Sequence, residues 1–196
     1  LPRIPAAERR NALAQAALRV IAAQGVAAAT TRAIAAEAGM SLASVHYAFS
    51  SREELIAFTV RSQVQAALGA LAADTDADDL EGVIRAALRG YLAHIASDPG
   101  RELAMFELAH YALRNGRDED ARGQYEANYA AAAEVLNAVA VHMGITWTLP
   151  APDMARIVIT LTDGLSLGWL ADRDTEAAER VIDFAAAALA SLAVAA

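Results

Sequence analysis

The residues best equipped for chemistry lie in one stretch, Thr30-Thr31-Arg32-Ala33-Ile34-Ala35-Ala36-Glu37-Ala38-Gly39-Met40-Ser41-Leu42-Ala43-Ser44-Val45-His46-Tyr47-Ala48-Phe49. Thr30 can cap a short helix through its hydroxyl, and Ser41 can cap a second. Gly39 between them supplies the positive φ that a tight turn requires. On the second helix Val45 and Phe49, four residues apart, face the core together with Ile34, which leaves Leu42, Ala43, Ser44, His46 and Tyr47 outward. An outward His-Tyr pair beside small residues suits close approach to base edges and phosphate oxygens. Two short helices joined by a tight turn cross steeply, and the second can enter a major groove. The alternative is a packed helical hairpin with no ligand.

Other groupings are sparser. Glu107 and His110 form Glu-x-x-His, the unit that di-iron bundles use in two copies with further carboxylates. The sequence holds one copy, and neither His94 nor His142 has a histidine partner at i, i+4. No metal site and no cofactor are expected. The absence of cysteine excludes disulfides, thiolate zinc sites and a cysteine nucleophile. No nucleophile–base arrangement, paired carboxylate motif or phosphate loop stands out, so no catalytic residue is named and an all-α enzyme is the remote alternative. Gly164-Leu165-Ser166-Leu167-Gly168 places two glycines four apart on one helical face, with Thr160 extending the stripe. Glycine costs about 1 kcal/mol against alanine inside a helix, so tight helix packing is the expected compensation, within the chain or between copies.

These groups need helices to position them. A first helix is expected over residues 6–24, with Leu13, Ala17, Val20 and Ile21 on one face and Gly25 at its end. A short second helix after Thr30 buries Ile34, Ala35 and Ala38, and a third ends near Phe49. Ser51 begins a fourth, with Glu54 completing a capping-box pattern, that continues to about Leu71. A polar break at residues 73–79 precedes five further helical stretches at 80–96, 101–114, 119–143, 153–171 and 175–195. No stretch alternates with period two, so no sheet is expected. The fold class is all-α with about nine helices: a three-helix helix-turn-helix domain over residues 1–52 and a larger helical domain over residues 53–196. The apolar run Phe184–Ala196 is too short to span a bilayer and reads as a buried C-terminal helix. Residues 1–24 carry Arg3, Glu8, Arg9, Arg10 and Arg19 and do not read as a signal peptide. Leu1 in place of Met leads us to expect a few native residues before it.

Composition agrees with helices, because alanine is the largest contributor to the 56% hydrophobic content. The net charge of −8 argues at first against a nucleic-acid partner, but its distribution does not. Residues 1–52 hold six arginines against two glutamates, whereas residues 53–196 hold ten arginines against 22 acids. A basic head on an acidic body suits a DNA reader whose head alone touches phosphate.

The run Leu13–Leu55 resembles the N-terminal domain of TetR-family regulators. The shared features are Ala16-Ala17-Leu18 and Gly25, Thr30-Thr31-Arg32, Ala38-Gly39-Met40-Ser41, an aromatic-rich helix ending at Phe49, and Ser51-Arg52-Glu53-Glu54-Leu55. The resemblance implies that Thr31, Ser44, Tyr47 and Arg52 contact phosphates, that Leu42, Ala43 and His46 sit where bases are read, and that Arg32 reaches a base. His46 and Ala48 depart from the aromatic or histidine residues usual there, so base reading is expected to lean on methyl contacts and DNA shape. The resemblance also implies an effector pocket, for which Tyr91, His94, Met105, Phe106, His110, Tyr111, Tyr125 and Tyr129 are candidates suited to an amphipathic organic molecule. It implies a homodimer through the last two helices: Thr160, Leu161, Gly164, Leu165 and Gly168 against Val181, Ala185, Ala188, Leu189 and Leu192. The function so implied is a cytoplasmic bacterial repressor, released from a palindromic operator by a small molecule. The alternative is a regulator without such an effector, controlled by a protein or activating transcription.

Overall fold

Alanine-rich stretches become helices here wherever a capping side chain or a turn residue lets them start and stop. The computed structural model describes residues 5–71 and 77–196, so the break at 73–79 and Arg3 lie largely or wholly outside the described residues. Nine α-helices are found among the described residues: α1 Ala6–Gln24, α2 Thr31–Glu37, α3 Leu42–Ala48, α4 Arg52–Leu71, α5 Leu80–Ser97, α6 Pro99–Arg114, α7 Asp118–Met143, α8 Ala151–Asp172 and α9 Thr175–Ala190. Asp98 caps α6 by accepting from the Arg101 amide at 3.1 Å, and Pro99 fills its first turn, so α6 starts two residues before its expected onset.

Among the described residues the chain divides into two compact units, Leu1–Gln63 with Asp98–Gln124 and Val64–Ser97 with Tyr125–Ala196. The contacts therefore divide the chain differently from a cut after residue 52. In the first unit Leu13, Ala17 and Ile21 of α1 meet Ile34 of α2, Val45 of α3, Phe49 and Leu55, and the same core takes in Ala104 and Leu108 of α6. α6 packs on α1 beside the short helices α2 and α3 and shares their core.

The second unit is built on α5 against α9. Leu88 and Ile95 pack with Ile182, Ala186 and Leu189, and Met154, Leu165 and Trp169 of α8 join them. Arg85 donates to Asp183 at 2.8 Å and Arg89 to Glu179 at 2.7 Å along the rim of the same unit.

A sheet is present, contrary to expectation. β1 (Ile145–Trp147) pairs antiparallel with β2 (Ala193–Ala195), with Thr146 opposite Val194. Gly144, at φ +60°, ends α7 and turns the chain into β1. The last helix stops at Ala190 instead of continuing to 195, because the final residues take up this pairing. Trp147 anchors it by donating Nε1 to the Leu136 carbonyl at 3.0 Å. The run Phe184–Ala196 is also not a buried helix, since Phe184 is 70% and Val194 53% exposed.

Ile182 is fully enclosed in the second core. Ile182→Ala should cost about 2–5 kcal/mol, read as a lower urea midpoint with an unchanged denaturant slope. A midpoint equal to wild type would show that this core does not carry the unit.

Candidate nucleic-acid interface

The helix-turn-helix is assembled by local capping first. Thr30 Oγ1 accepts from the Ala33 amide at 3.1 Å and Ser41 Oγ from the Ser44 amide at 3.2 Å, so both expected caps form. Gly39 sits at φ +64°, and a Cβ there would meet nothing within 4 Å. Backbone conformation, not lack of space, thus requires the glycine. Met40 N–H then closes the turn on the Ala35 carbonyl at 2.9 Å.

Non-local contacts fix α3 in place. Val45 and Phe49 are buried, as their spacing implied. The Arg10 guanidinium lies 4.1 Å from the Phe49 ring centroid and 4.7 Å from that of Phe58. It donates to the Ala48 carbonyl at 2.6 Å and to Glu54 Oε1 at 3.1 Å. Arg52 donates Nε to the Ala29 carbonyl at 2.7 Å and Nη2 to the Val26 carbonyl at 2.6 Å. Arg52 therefore clasps the loop before α2, a task its expected place at a phosphate did not include. Arg19 pairs with Glu37 at 2.6 Å. Three of the head's arginines thus serve the head's own structure, and the charge split overstated the positive charge facing outward. From α6, Glu107 accepts from the Val26 amide at 2.9 Å. That bond gives Glu107 a structural role, and among the described residues no cluster of metal-ligating side chains occurs.

The outward face of α3 holds Ala43, His46 and Tyr47 exposed, with Leu42 and Ser44 half-buried. Thr30, Arg32 and Ser41 are exposed and Thr31 is half-buried. Tyr47, 70% exposed, stands with Arg9 5.1 Å from its ring centroid. Ser44 Oγ is 2.9 Å from Ser41 Oγ, so the two hydroxyls hydrogen-bond to each other at the start of α3. Sequence reasoning missed Arg9 and Arg10. Two adjacent arginines near the start of a helix carry no local signal of which ring or carbonyl they reach.

The eight effector candidates divide between the two units, four in each. Met105, Phe106, His110 and Tyr111 belong to the first unit, where Met105 and Tyr111 pack on the head's core and His110, Tyr111 and Glu107 line an open cleft of about 470 Å³. Tyr91, His94, Tyr125 and Tyr129 belong to the second unit. There Tyr91 is buried with its hydroxyl 3.0 Å from Ser166 Oγ, and Tyr125 donates to Asp163 Oδ2 at 2.8 Å. An apolar cavity of about 50 Å³ in that unit is lined by Ile84, Leu88, Val135, Leu136, Val139, Trp147, Val158 and Leu189 among others, and by none of the eight.

The expected seam residues also divide. Thr160, Gly164, Gly168 and Val181 are exposed, Leu161, Ala188 and Leu192 half-buried. Among the described residues, a Cβ at Gly164 or Gly168 would meet nothing within 4 Å. Leu165, Ala185 and Leu189 lie in the unit's own core. Leu167 and Phe184 on the same two helices are 46% and 70% exposed.

This geometry defines a helix-turn-helix protein, with a capped, outward-facing recognition helix on an all-α scaffold. Residues 13–57 match the description "Bacterial regulatory proteins, tetR family". The chain is 32% identical over 171 residues to the HTH-type nicotine-responsive transcriptional repressor HdnoR of Paenarthrobacter nicotinovorans, covering 87% of this chain and 88% of that protein. It superposes on a transcriptional regulator from Rhodococcus sp. Rha1 with a TM-score of 0.71 and 24% identity, covering 94% and 97% of the two chains. The multidrug-binding protein EbrR in complex with proflavin is similar at a TM-score of 0.55 and 25% identity, over 90% and 99% of the chains. The chain belongs to the TetR family and is a DNA-binding transcriptional regulator, not an enzyme.

Glu54 joins the caps to the Arg10 contact. Its carboxylate accepts from the Ser50 amide at 2.7 Å and the Ser50 hydroxyl at 2.8 Å, and these bonds, then Arg10, hold its pKa below the ordinary value. A depressed folded pKa contributes stability above the unfolded pKa and loses it as pH falls through the folded one. Thermal melts of wild type should therefore fall more steeply than those of Glu54→Gln as pH drops below the ordinary carboxylate range. Parallel curves would remove Glu54 from this role.

Proposed function

We propose that this regulator is a homodimeric repressor that leaves a palindromic operator when a small organic effector enters the Val64–Ser97 and Tyr125–Ala196 unit. The observation that carries the DNA half is the outward face of α3, where Tyr47 is 70% exposed while Val45 and Phe49 behind it are buried. Thr31, Ser44 and Tyr47 serve phosphates; Leu42, Ala43 and His46 meet base edges; Arg32, exposed and without an ion pair among the described residues, supplies free positive charge. Thr30 and Ser41 place helix N-terminal amides towards the backbone of the duplex.

The dimer half is supported by the glycine stripe and its apolar neighbours. Gly164, Gly168 and Leu167 on α8 and Val181 and Phe184 on α9 form an exposed apolar surface that a second copy would cover. α8 has the length and composition of a membrane span. Asp153, Arg156, Asp163 and Asp172 interrupt it, and its inward face packs in a protein core, which favours a protein seam and a cytoplasmic location. Two heads so joined would read half-sites about 34 Å apart.

An effector reading is supported by relatives, one nicotine-responsive and one complexed with proflavin. The apolar cavity, about 50 Å³, is far below the roughly 300 Å³ or more of a ligand pocket, so a ligand using it must spread α5, α7, α8 and α9. Such a ligand binds the spread state better than the closed one, and that inequality is what shifts an operator equilibrium.

In anisotropy titrations on a selected operator, Tyr47→Ala should weaken binding about tenfold across sequences, a loss of about 1.4 kcal/mol. His46→Ala should instead alter preference at one or two base positions with a smaller loss; the reverse pattern would contradict these roles. Phe184→Glu should turn a dimer into a monomer in light scattering at micromolar concentration, and an unchanged mass would rule out this seam.

A further inference from the structure

Among the described residues of the second unit, one carboxylate, Asp163, has no ion-pair partner. Asp163 on α8 is half-buried, and its only partner among the described residues is the Tyr125 hydroxyl, which donates to Oδ2 at 2.8 Å. Burial raises the Asp163 pKa and the tyrosine bond opposes that rise without cancelling it. One neutral donor poorly repays the lost hydration of a carboxylate, so an uncompensated anion here costs the folded state free energy. Two aromatic rings stand beside it: Tyr125 and Tyr129, one helical turn apart on α7, have centroids 6.0 Å apart and planes tilted by 51°.

The cluster already holds one cation, imperfectly. The Arg156 guanidinium lies 4.6 Å from the Tyr129 centroid and donates to the Tyr129 hydroxyl at 3.1 Å. Arg156 precedes Asp163 by two turns of α8, yet no ion pair joins them among the described residues. Arg156 is exposed and also lines an open groove of about 400 Å³ with Ile157 and Thr160, so it has room to swing aside. A ring face that attracts a cation and a carboxylate that lacks one are thus adjacent, and a single ligand charge could satisfy both.

We propose that Asp163, Tyr125 and Tyr129 form a binding site for an organic monocation, an alkylated ammonium or a protonated heterocycle. The inference rests on the effector reading and names the chemical class of that effector. Asp163 supplies the counter-charge, the tyrosine faces supply the quadrupole, and Arg156 is the internal cation that the ligand displaces.

The test is isothermal titration calorimetry on the full chain with benzyltrimethylammonium and its uncharged isostere, neopentylbenzene. The cation should bind saturably and at least about tenfold more tightly than the isostere, a comparison that needs no variant. Asp163→Asn should weaken cation binding about tenfold. Tyr129→Leu should weaken it more than Tyr129→Phe, which keeps the ring. Arg156→Gln should tighten it, an outcome that a purely structural Asp163 would not produce. No cation binding, equal binding of the isostere, or full affinity in a folded Asp163→Asn would overturn the proposal. Anisotropy on operator DNA with the same cation separates the two ideas. Cation binding through Asp163 with unchanged operator affinity would keep this site and remove the effector reading. Operator release by the isostere alone, without cation binding, would do the reverse.

Discussion

Three helices of the head converge on the guanidinium of Arg10. From α1 it reaches the carbonyl at the end of α3 and the carboxylate of Glu54 in the first turn of α4, and both neighbouring rings, Phe49 and Phe58, lie against it. A recognition helix of seven residues cannot hold itself in solution, because helix nucleation is unfavourable at that length. Its caps at Ser41 and the Arg10 contact at Ala48 fix both ends, and Val45 fixes the middle. The outward face can then stay small and polar without loss of order. Arg52 does the same for the loop before α2, and Glu107 ties that loop to α6. Each of these ionic groups is directed at a backbone carbonyl or amide, where a charge-assisted bond has fixed geometry.

The second unit follows a different rule. Its helices α8 and α9 are apolar on more than one side, and only one side meets the unit's own core. Gly164, Leu167 and Gly168 on α8 and Val181 and Phe184 on α9 stay exposed on the other side. The same helix α8 carries Asp163 towards α7, so the proposed seam, the core and this carboxylate share one element. A ligand at Asp163 and a partner at Gly164 would therefore act on neighbouring residues of a single helix.

Legibility in the sequence tracks how local each interaction is. The caps at Thr30 and Ser41, the turn at Gly39 and the burial of Val45 and Phe49 depend on residues within a few positions, and all were readable. Ser51 caps α4 as expected, but the returning Glu54 bond goes to Ser50, one residue earlier. The roles of Arg10 and Arg52 depend on partners 23 to 44 positions away, and composition shows only their charge. The β1–β2 pair was missed for a related reason. Its strands are three residues each, too short for a period, and alanine in β2 favours helix until distant pairing overrides it. On α8, Leu165 and Leu167 look alike in sequence, yet one is core and the other surface. A helix apolar on several sides does not announce which side faces inward.

Placing α3 as a DNA reader is the claim on which the functional conclusions turn. Its most direct measurement is selection of bound duplexes from random DNA by the purified chain, followed by affinity against salt concentration. The expected result is an inverted repeat with half-site centres about one helical turn apart, and an affinity that falls steeply with salt. Recovery of unenriched sequence, with binding absent or indifferent to salt, would contradict it.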